Sequence, residues 1–440
     1  MSLQTPDKIR ELQRALYTKA KEEKEYRFYA LYDKVHRSDI LRRAYELVKE
    51  NRGAAGVDGE TFESIKEKGL ESWLKKLEEE LREKRYKPEA VRRVMIPKPG
   101  GGERPLGIPT IKDRTAQMAA KLILEPIFEA DFEDCAYGYR PKRSALDAVE
   151  EVHEALCEGY TEVVDADLSK YFDTIPHHEL MQSVARRVVD KHMLHLVKMW
   201  LKVPVQETTK NGKTTISGGK KTQRGTPQGG VISPLLANIY MHRFLRAWRE
   251  KGKGEQLKAK IVSYADDFVV LTKQKAQEAL QWVDGVMTKI GLKLNTEKTK
   301  IRDATKSTFD FLGYTFGPEH YRKDGHWYMA AQPSAKSVAR VKEKIRTVLS
   351  PSNNAEWEVV QGRLNRILSG WSRYFSYGTR LFAYRAVDNF VYERVKGFLC
   401  RRHKVSGRGT LQFSDSVVFE ERGVLRLRTI QLGAPRSTLV

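Results

Sequence analysis

A chain of 440 residues is expected to form more than one domain and to bury a large core. Its 79 Lys and Arg against 57 Asp and Glu leave a formal charge of +22, which points to a polyanionic partner, although a solvated basic surface has the same composition. Cys135, Cys157 and Cys400 form no Cys-x-x-Cys pair, and no signal-peptide core or apolar run of about 20 residues stands out, so a soluble protein of a reducing cytoplasm is expected, without zinc or disulfides.

Thr5 and Pro6 read as the N-cap and first residue of a Lys/Glu-rich helix running to about residue 34, with Leu12, Leu16, Tyr17 and Ala20 at helical spacing. Ser38 starts another helix, with Ile40, Leu41, Ala44, Leu47 and Val48 on one face. After a loop at 53–59, one helix is expected over 62–85, its stripe of Leu70, Trp73, Leu74, Leu77 and Leu81 turned to the core, and Pro88 stops it. Val91 to Ile96 reads as a strand leading into Pro97-Lys98-Pro99-Gly100-Gly101-Gly102-Glu103-Arg104. Three glycines between basic residues make a hairpin tip that can approach a phosphate, or an exposed cationic turn. It is not a P-loop, because no Gly-Lys-Ser/Thr follows. Helices are expected over 113–133 and 144–156, on either side of Ala136-Tyr137-Gly138-Tyr139-Arg140-Pro141.

Glu162-Val163-Val164-Asp165-Ala166-Asp167-Leu168 alternates apolar and acidic residues, so a strand here has one buried side and one side carrying Asp165 and Asp167. His177 and His178 read as a helix start and His192 and His195 as part of an apolar helical run, not as zinc ligands. The polar stretch 203–223, with a hairpin signal at Asn211-Gly212, leads to Gln223-Arg224-Gly225-Thr226-Pro227-Gln228-Gly229-Gly230-Val231-Ile232-Ser233-Pro234-Leu235 and a helix over 232–244. In Ile261-Val262-Ser263-Tyr264-Ala265-Asp266-Asp267-Phe268-Val269-Val270-Leu271, two apolar runs bracket adjacent acids. Neighbours on a straight strand point to opposite faces, so both acids can serve one site most easily at a hairpin turn; a solvated turn is the plainer alternative. Carboxylates about 4 Å apart repel by roughly 4 kcal/mol at an effective dielectric near 20, so a cluster of three calls for divalent cations. Oxygen donors suit Mg²⁺, with Mn²⁺ as a substitute, and two such ions stabilise the attacking and leaving oxygens of an in-line phosphoryl displacement.

The Tyr-Ala-Asp-Asp hairpin, the spacing from Asp167 to Phe172 and the run around Pro227-Gln228-Gly229 resemble, in the same order, the three core palm motifs of reverse transcriptases. The Pro-Gln-Gly form with Gly-Thr before it is similar to the enzymes encoded by bacterial group II introns, and the resemblance covers nearly the whole chain. It implies an α+β right-hand polymerase, fingers and a palm with an antiparallel sheet, followed by a helical thumb that doubles as the maturase domain. The divisions expected are a helical N-terminal extension at 1–60, fingers and palm at 61–317, thumb and maturase domain at 318–390, and a basic DNA-binding-like segment at 391–440, without the Cys pairs and His of an endonuclease.

The resemblance also implies roles. Asp167, Asp266 and Asp267 would be the catalytic acids at the metals, and Lys298, with Lys300 close behind, the proton donor to the leaving pyrophosphate. Lys98 and Arg104 would hold the β- and γ-phosphates of a deoxynucleoside triphosphate, and Gln228 would meet the nucleotide or the template. Phe172 would exclude a 2′-hydroxyl, although either Phe172 or the adjacent Tyr171 could be a core ring. Arg140 would contact a phosphate or be structural. Phe309-Asp310-Phe311 resembles the primer grip, with Gly291 to Ile301 before it and a basic helix over 334–349 after it. Arg363, Arg366 and Arg373, interleaved with aromatics, would contact RNA, as would Lys19, Lys21, Lys24 and Arg27 near the start. The partners implied are group II intron RNA, an RNA template with a DNA primer, and target DNA, in a bacterial cytoplasm with nucleoid association during integration. A splicing factor that no longer polymerises, and a reverse transcriptase adapted to repair or defence, are the alternatives.

Overall fold

The computed structural model describes residues 5–97, 102–208, 214–321 and 325–430. At its centre lies a four-stranded antiparallel sheet in the order Ala259–Tyr264, Asp267–Thr272, Glu162–Asp167, Lys300–Asp303. Alternation along these strands divides the apolar residues between two cores. Val164, Ala166, Ile261, Phe268 and Val270 join the core built by the N-terminal helices. Val163, Val262, Val269 and Leu271 join a second core with the C-terminal helices. A sheet buried on both faces explains why Val269-Val270-Leu271 is a continuous apolar run rather than an alternating one.

A second sheet pairs the hairpin Val91–Pro97 and Glu103–Ile108 with Pro204–Thr208 and Thr214–Gly218. The last two strands are antiparallel, as the Asn211-Gly212 signal requires, and that tip lies outside the described residues. A third sheet, Phe309–Phe311, Tyr314–His320 and Trp327–Pro333, leads to the helices Ala335–Val348, Trp357–Tyr374 and Leu381–Arg402. Among the described residues no helix is long and apolar enough to cross a membrane.

Several expectations are corrected by tertiary contacts. The first helix is Asp7–Glu22, its N-cap position is Pro6 rather than Thr5, and no side chain caps it. It ends early because Arg187 donates to the carbonyls of Ala20 (2.7 Å), Glu23 (2.9 Å) and Tyr26 (3.2 Å). The chain then runs extended, Phe28 N–H donating to the Arg187 carbonyl at 2.7 Å, until the short helix Tyr32–Val35. The helix expected over 62–85 is two, Phe62–Lys68 and Leu70–Arg82, broken at Gly69, whose φ of 95° an ordinary residue rarely adopts. His192 and His195 are exposed on Lys191–Leu201, not in the core. The expected divisions after 317 and 390 fall inside the strand Tyr314–His320 and the helix Leu381–Arg402. Beyond that helix the chain folds back: Asp388 accepts from the N–H groups of Leu427 (2.8 Å) and Arg428 (3.1 Å), and Phe413, Val418 and Leu427 enter the second core.

Arg187 is buried and also paired with Asp131 at 2.5 Å, so it joins the N-terminal segment to the body of the fold. Arg187→Leu leaves Asp131 and three carbonyls without their donor and should cost about 3–5 kcal/mol, read as a lowered urea midpoint.

Candidate functional site

The strand register sets Asp167 directly opposite Asp267. Asp266 and Ala265 form the two-residue connection between the strands ending at Tyr264 and beginning at Asp267, so all three acids of the motifs meet at one end of the sheet. Ala265 takes a φ of 58°, as such tight hairpins demand of a connecting residue, and the turn is supported from outside. Tyr137 N–H donates to the Ser263 carbonyl at 2.8 Å, and Ser263 N–H to that of Cys135, also at 2.8 Å. Gly138 packs against the Ala265 backbone so closely that a Cβ there would collide with it, and Asn238, on the helix Ser233–Glu250, holds the Gly138 carbonyl at 2.7 Å. Nothing in the local sequence marked Gly138 for this support.

Asp165, Asp167 and Asp267 lie on the sheet face of the second core and open into a groove of about 550 Å³, with Lys298, Arg302, Asp310 and Lys336 on its walls. Burial, and then repulsion from Asp266, Asp167 and Asp165, pushes the Asp267 carboxyl up to about 6. Burial and then Asp167 also raise Asp266. Asp165, absent from the expected site, is raised to about 6, first by burial and then against the pull of Arg302, with Asp167 and Asp310 adding repulsion. Its only signal was that it shares a strand face with Asp167.

Lys298 Nζ stands 3.0 Å from Asp167 Oδ2. The turn that carries it is fixed by Asn295, whose N–H donates to the Asp167 carbonyl at 2.8 Å and whose Oδ1 accepts from Lys298 N–H at 3.3 Å. Lys300 is exposed on the strand opposite Asp165. Tyr171 is the core ring, its hydroxyl donating to the Ala237 carbonyl at 2.6 Å, whereas Phe172 is half-buried and stands edge-on to Tyr139, centroids 6.5 Å apart. Tyr139 lies 6.4 Å from Tyr264, so three rings border the acid hairpin; burial raises the Tyr139 hydroxyl first and Asp266 next, while Arg104 acts against them. Arg104 is thereby within electrostatic reach of the site, and Lys98 lies outside the described residues.

Gln228 donates through Nε2 to Asp173 Oδ1 at 3.1 Å, and its carbonyl accepts from Gly107 N–H at 2.6 Å. Gly229, at φ 110°, passes the Gly107 carbonyl where a side chain would clash, and Thr226 N–H donates to the Phe172 carbonyl at 2.7 Å. This loop therefore ties the Phe172 turn to the strand of Arg104. Of the two roles expected of Arg140, the contacts fit the structural one and not the phosphate contact. Arg140 is buried, grips Glu129 with Nε (3.0 Å) and Nη2 (2.7 Å), and gives Nη1 to the carbonyls of Glu133 (2.6 Å) and Ala136 (2.7 Å), which commits most of its N–H groups inside the fold. Arg363, Arg366 and Arg373 are exposed on Trp357–Tyr374, and Arg366 borders a groove with Arg340, Lys344 and Trp371. Near the start, Lys19 is paired with Glu23, Lys21 donates to the Ala130 carbonyl (3.4 Å) and Arg27 to that of Ala185 (2.9 Å), while Lys24 is exposed.

The family model for reverse transcriptase (RNA-dependent DNA polymerase) matches residues 96–316, which hold the acid strand, the Gly225–Gly230 loop and the hairpin. The chain belongs to the reverse transcriptases. The model for the group II intron maturase-specific domain matches residues 338–412, across the C-terminal helices. This reverse transcriptase is 34% identical to Protein YkfC of Escherichia coli K12 over 70% of its own length and 87% of that protein's. It is 31% identical to the group II intron-encoded protein LtrA of Lactococcus lactis subsp. cremoris over 65% of its own length, and spans 56% of LtrA. Telomerase from Candida albicans, solved with a fragment of telomeric RNA, overlaps 82% of this chain and 68% of its own at 13% identity and a TM-score of 0.44.

Reverse transcriptases use divalent metal ions in catalysis, and the crowded, partly desolvated carboxylates of this groove fit such a cation. Among the described residues no three His, Cys, Asp or Glu side chains form a ready cage. Lys298 holds Asp167, and a Mg²⁺ site needs only one or two carboxylates, the rest of its shell being water and substrate phosphate.

The raised Asp165 carries a sign for stability. Its folded value, about 6, exceeds its ordinary 3.8, so its ionisation costs nothing below about pH 4, progressively more between, and the full amount above about pH 6. Asp165→Asn should stabilise the metal-free protein at pH 7.5 by roughly 1–2 kcal/mol, less than the full shift because water reaches the groove. Urea midpoints at pH 7.5 and 4.5 check this, and the gain should shrink at the lower pH.

Proposed function

We propose that the chain extends a DNA primer on an RNA template by in-line phosphoryl transfer, with Asp167, Asp266 and Asp267 holding two Mg²⁺, and that it binds group II intron RNA as a maturase in splicing and mobility. The observation that carries this reading is the register that opposes Asp167 to Asp267 with Asp266 in the turn between strands. The bound ions would activate the primer hydroxyl and neutralise charge on the leaving pyrophosphate.

The protein's own groups supply the rest. Arg104, with Lys98, draws the triphosphate over the hairpin. Phe172, its backbone held by Thr226, closes the sugar side against a 2′-hydroxyl. Gln228, held by Asp173, sets the floor beneath the base pair. Lys298, largely exposed beyond its contact with Asp167, would be freed from that carboxylate by a cation bound there, and it is the group placed to donate a proton to the leaving pyrophosphate. The exposed arginines of Trp357–Tyr374 hold primer–template or intron RNA, and target DNA is the third nucleic-acid partner.

Primer extension with Mg²⁺ tests the reading. Asp266→Asn should lose at least about 10³-fold in rate, as loss of a metal-bearing group does when electrostatic stabilisation dominates, and should keep its affinity for intron RNA. Tight intron binding without synthesis by the unmodified chain would favour a splicing factor instead. Phe172→Ala should incorporate ribonucleotides while extending with deoxynucleotides. Unchanged discrimination would remove Phe172 from the sugar pocket.

A further inference from the structure

On the opposite side of the central sheet from the acids, the helices Ser233–Glu250 and Ala276–Lys289 bury Phe244, Trp248, Val283 and Met287 in the first core. Their outward flanks and the end of His177–Ala185 enclose a groove of about 630 Å³. Arg186, Arg243, Arg246, Lys251, Lys253 and Lys289 line it, against a single acid, Glu250. Trp282 borders the groove, half-buried edge-on to Trp248 with centroids 5.4 Å apart, and Lys253 Nζ lies 5.8 Å from its ring.

Cations gather at helix C-termini to balance the dipole, and three helices end here. Each end carries roughly half a negative charge, so the three and Glu250 together leave a surplus of between about three and four positive charges. The packing does not use that surplus. Arg243 is tied to the Glu179 carbonyl (3.3 Å) and Ser183 Oγ (3.2 Å), and Arg246 to Glu250 (2.5 Å). Arg186, Lys251 and Lys289 are exposed and make no side-chain hydrogen bond or ion pair among the described residues. Three unpaired cations on three different elements around a ringed groove suit successive phosphates of a folded polynucleotide better than one small anion.

We propose that this groove is a second nucleic-acid site, which holds the phosphate backbone of structured RNA while the acid groove on the other face works on primer–template. The assignment to RNA rests on the maturase reading; the existence of a second site does not. It also does not depend on synthesis, because the two grooves lie on opposite faces of the sheet.

The test uses the full chain with its cleft saturated by a chain-terminated DNA primer on RNA template, and titrates a labelled RNA hairpin of about 30 base pairs as the second ligand. The unmodified protein should bind the hairpin. The variant R186Q/R246Q/K251Q/K289Q should bind it at least tenfold more weakly, with the slope of log affinity against log salt reduced by roughly 2–3, at about 0.9 per lost phosphate contact. Its primer-extension rate should be unchanged, which shows that it folds. Absence of a second binding event in the unmodified protein, or equal hairpin affinity and slope in the variant, would overturn the site. A DNA duplex of the same length displacing the hairpin at equal affinity would overturn the assignment to RNA. A chain that binds the second hairpin yet extends no primer would fail the polymerase reading and leave this one standing.

Discussion

The feature on which the rest of the structure depends is the forced proximity of Asp167 and Asp267 across one antiparallel register. Left to themselves these carboxylates separate. Here they cannot, because the strands that end in them are clamped between two cores: Val163, Val269 and Leu271 belong to one and Val164, Ala166 and Val270 to the other. Each such side chain contributes about 1.5–3 kcal/mol when buried, so a handful outweighs a repulsion of a few kcal/mol. A slip of one residue would hand each valine to the wrong core and turn Asp165 and Asp167 into the first one, so the burial that stabilises the sheet also sets where the acids meet.

The charge raised at that end is then put to use. Carboxyls pushed towards about 6 by burial and by each other are poised for a counter-charge, and Lys298 supplies one in the absence of metal. The same logic orders the neighbourhood. The Gly225–Gly230 loop gives backbone bonds to both the Phe172 turn and the strand of Arg104, so the proposed sugar gate and phosphate hold move as one piece. Asn238 does the same for the hairpin through Gly138 and Ala265. Segments far apart in sequence are thus braced against one another next to the acid hairpin.

The sheet also separates two electrostatic environments. One face carries the acids beside Lys298, Arg302 and Lys336, and behind the helix layer on the other lies a groove with a surplus of cations. A chain with a formal charge of +22 therefore does not spread its basic residues evenly. Some, such as Arg140 and Arg187, are spent inside on carbonyls and carboxylates, where they hold segments together. Others, such as Arg363 and Lys289, stay in water on surfaces where a polyanion can meet them.

The amino-acid sequence by itself determined the polymerase motifs, the paired strands that carry the acids and most of the helices, because these follow from local alternation, helical spacing and turn chemistry within a few residues. The roles proposed for Asp167, Asp266, Asp267 and Lys298 rest on the resemblance of those motifs to reverse transcriptases, and the fold adds that Asp167 meets Asp267 and Lys298. Only the tertiary structure decided that Tyr171 is the core ring and Phe172 the half-buried one, that Arg140 is consumed by Glu129 and two carbonyls, and that Asp165 joins the acidic groove. It also ended the first helix at Glu22, through a guanidinium 165 positions further on, at Arg187, and it brought Asn238 to Gly138. In each case the deciding partner is far away in sequence. An arginine or a tyrosine has the same local signature whether it faces a carbonyl, a core or water, and burial between distant segments is what distinguishes them.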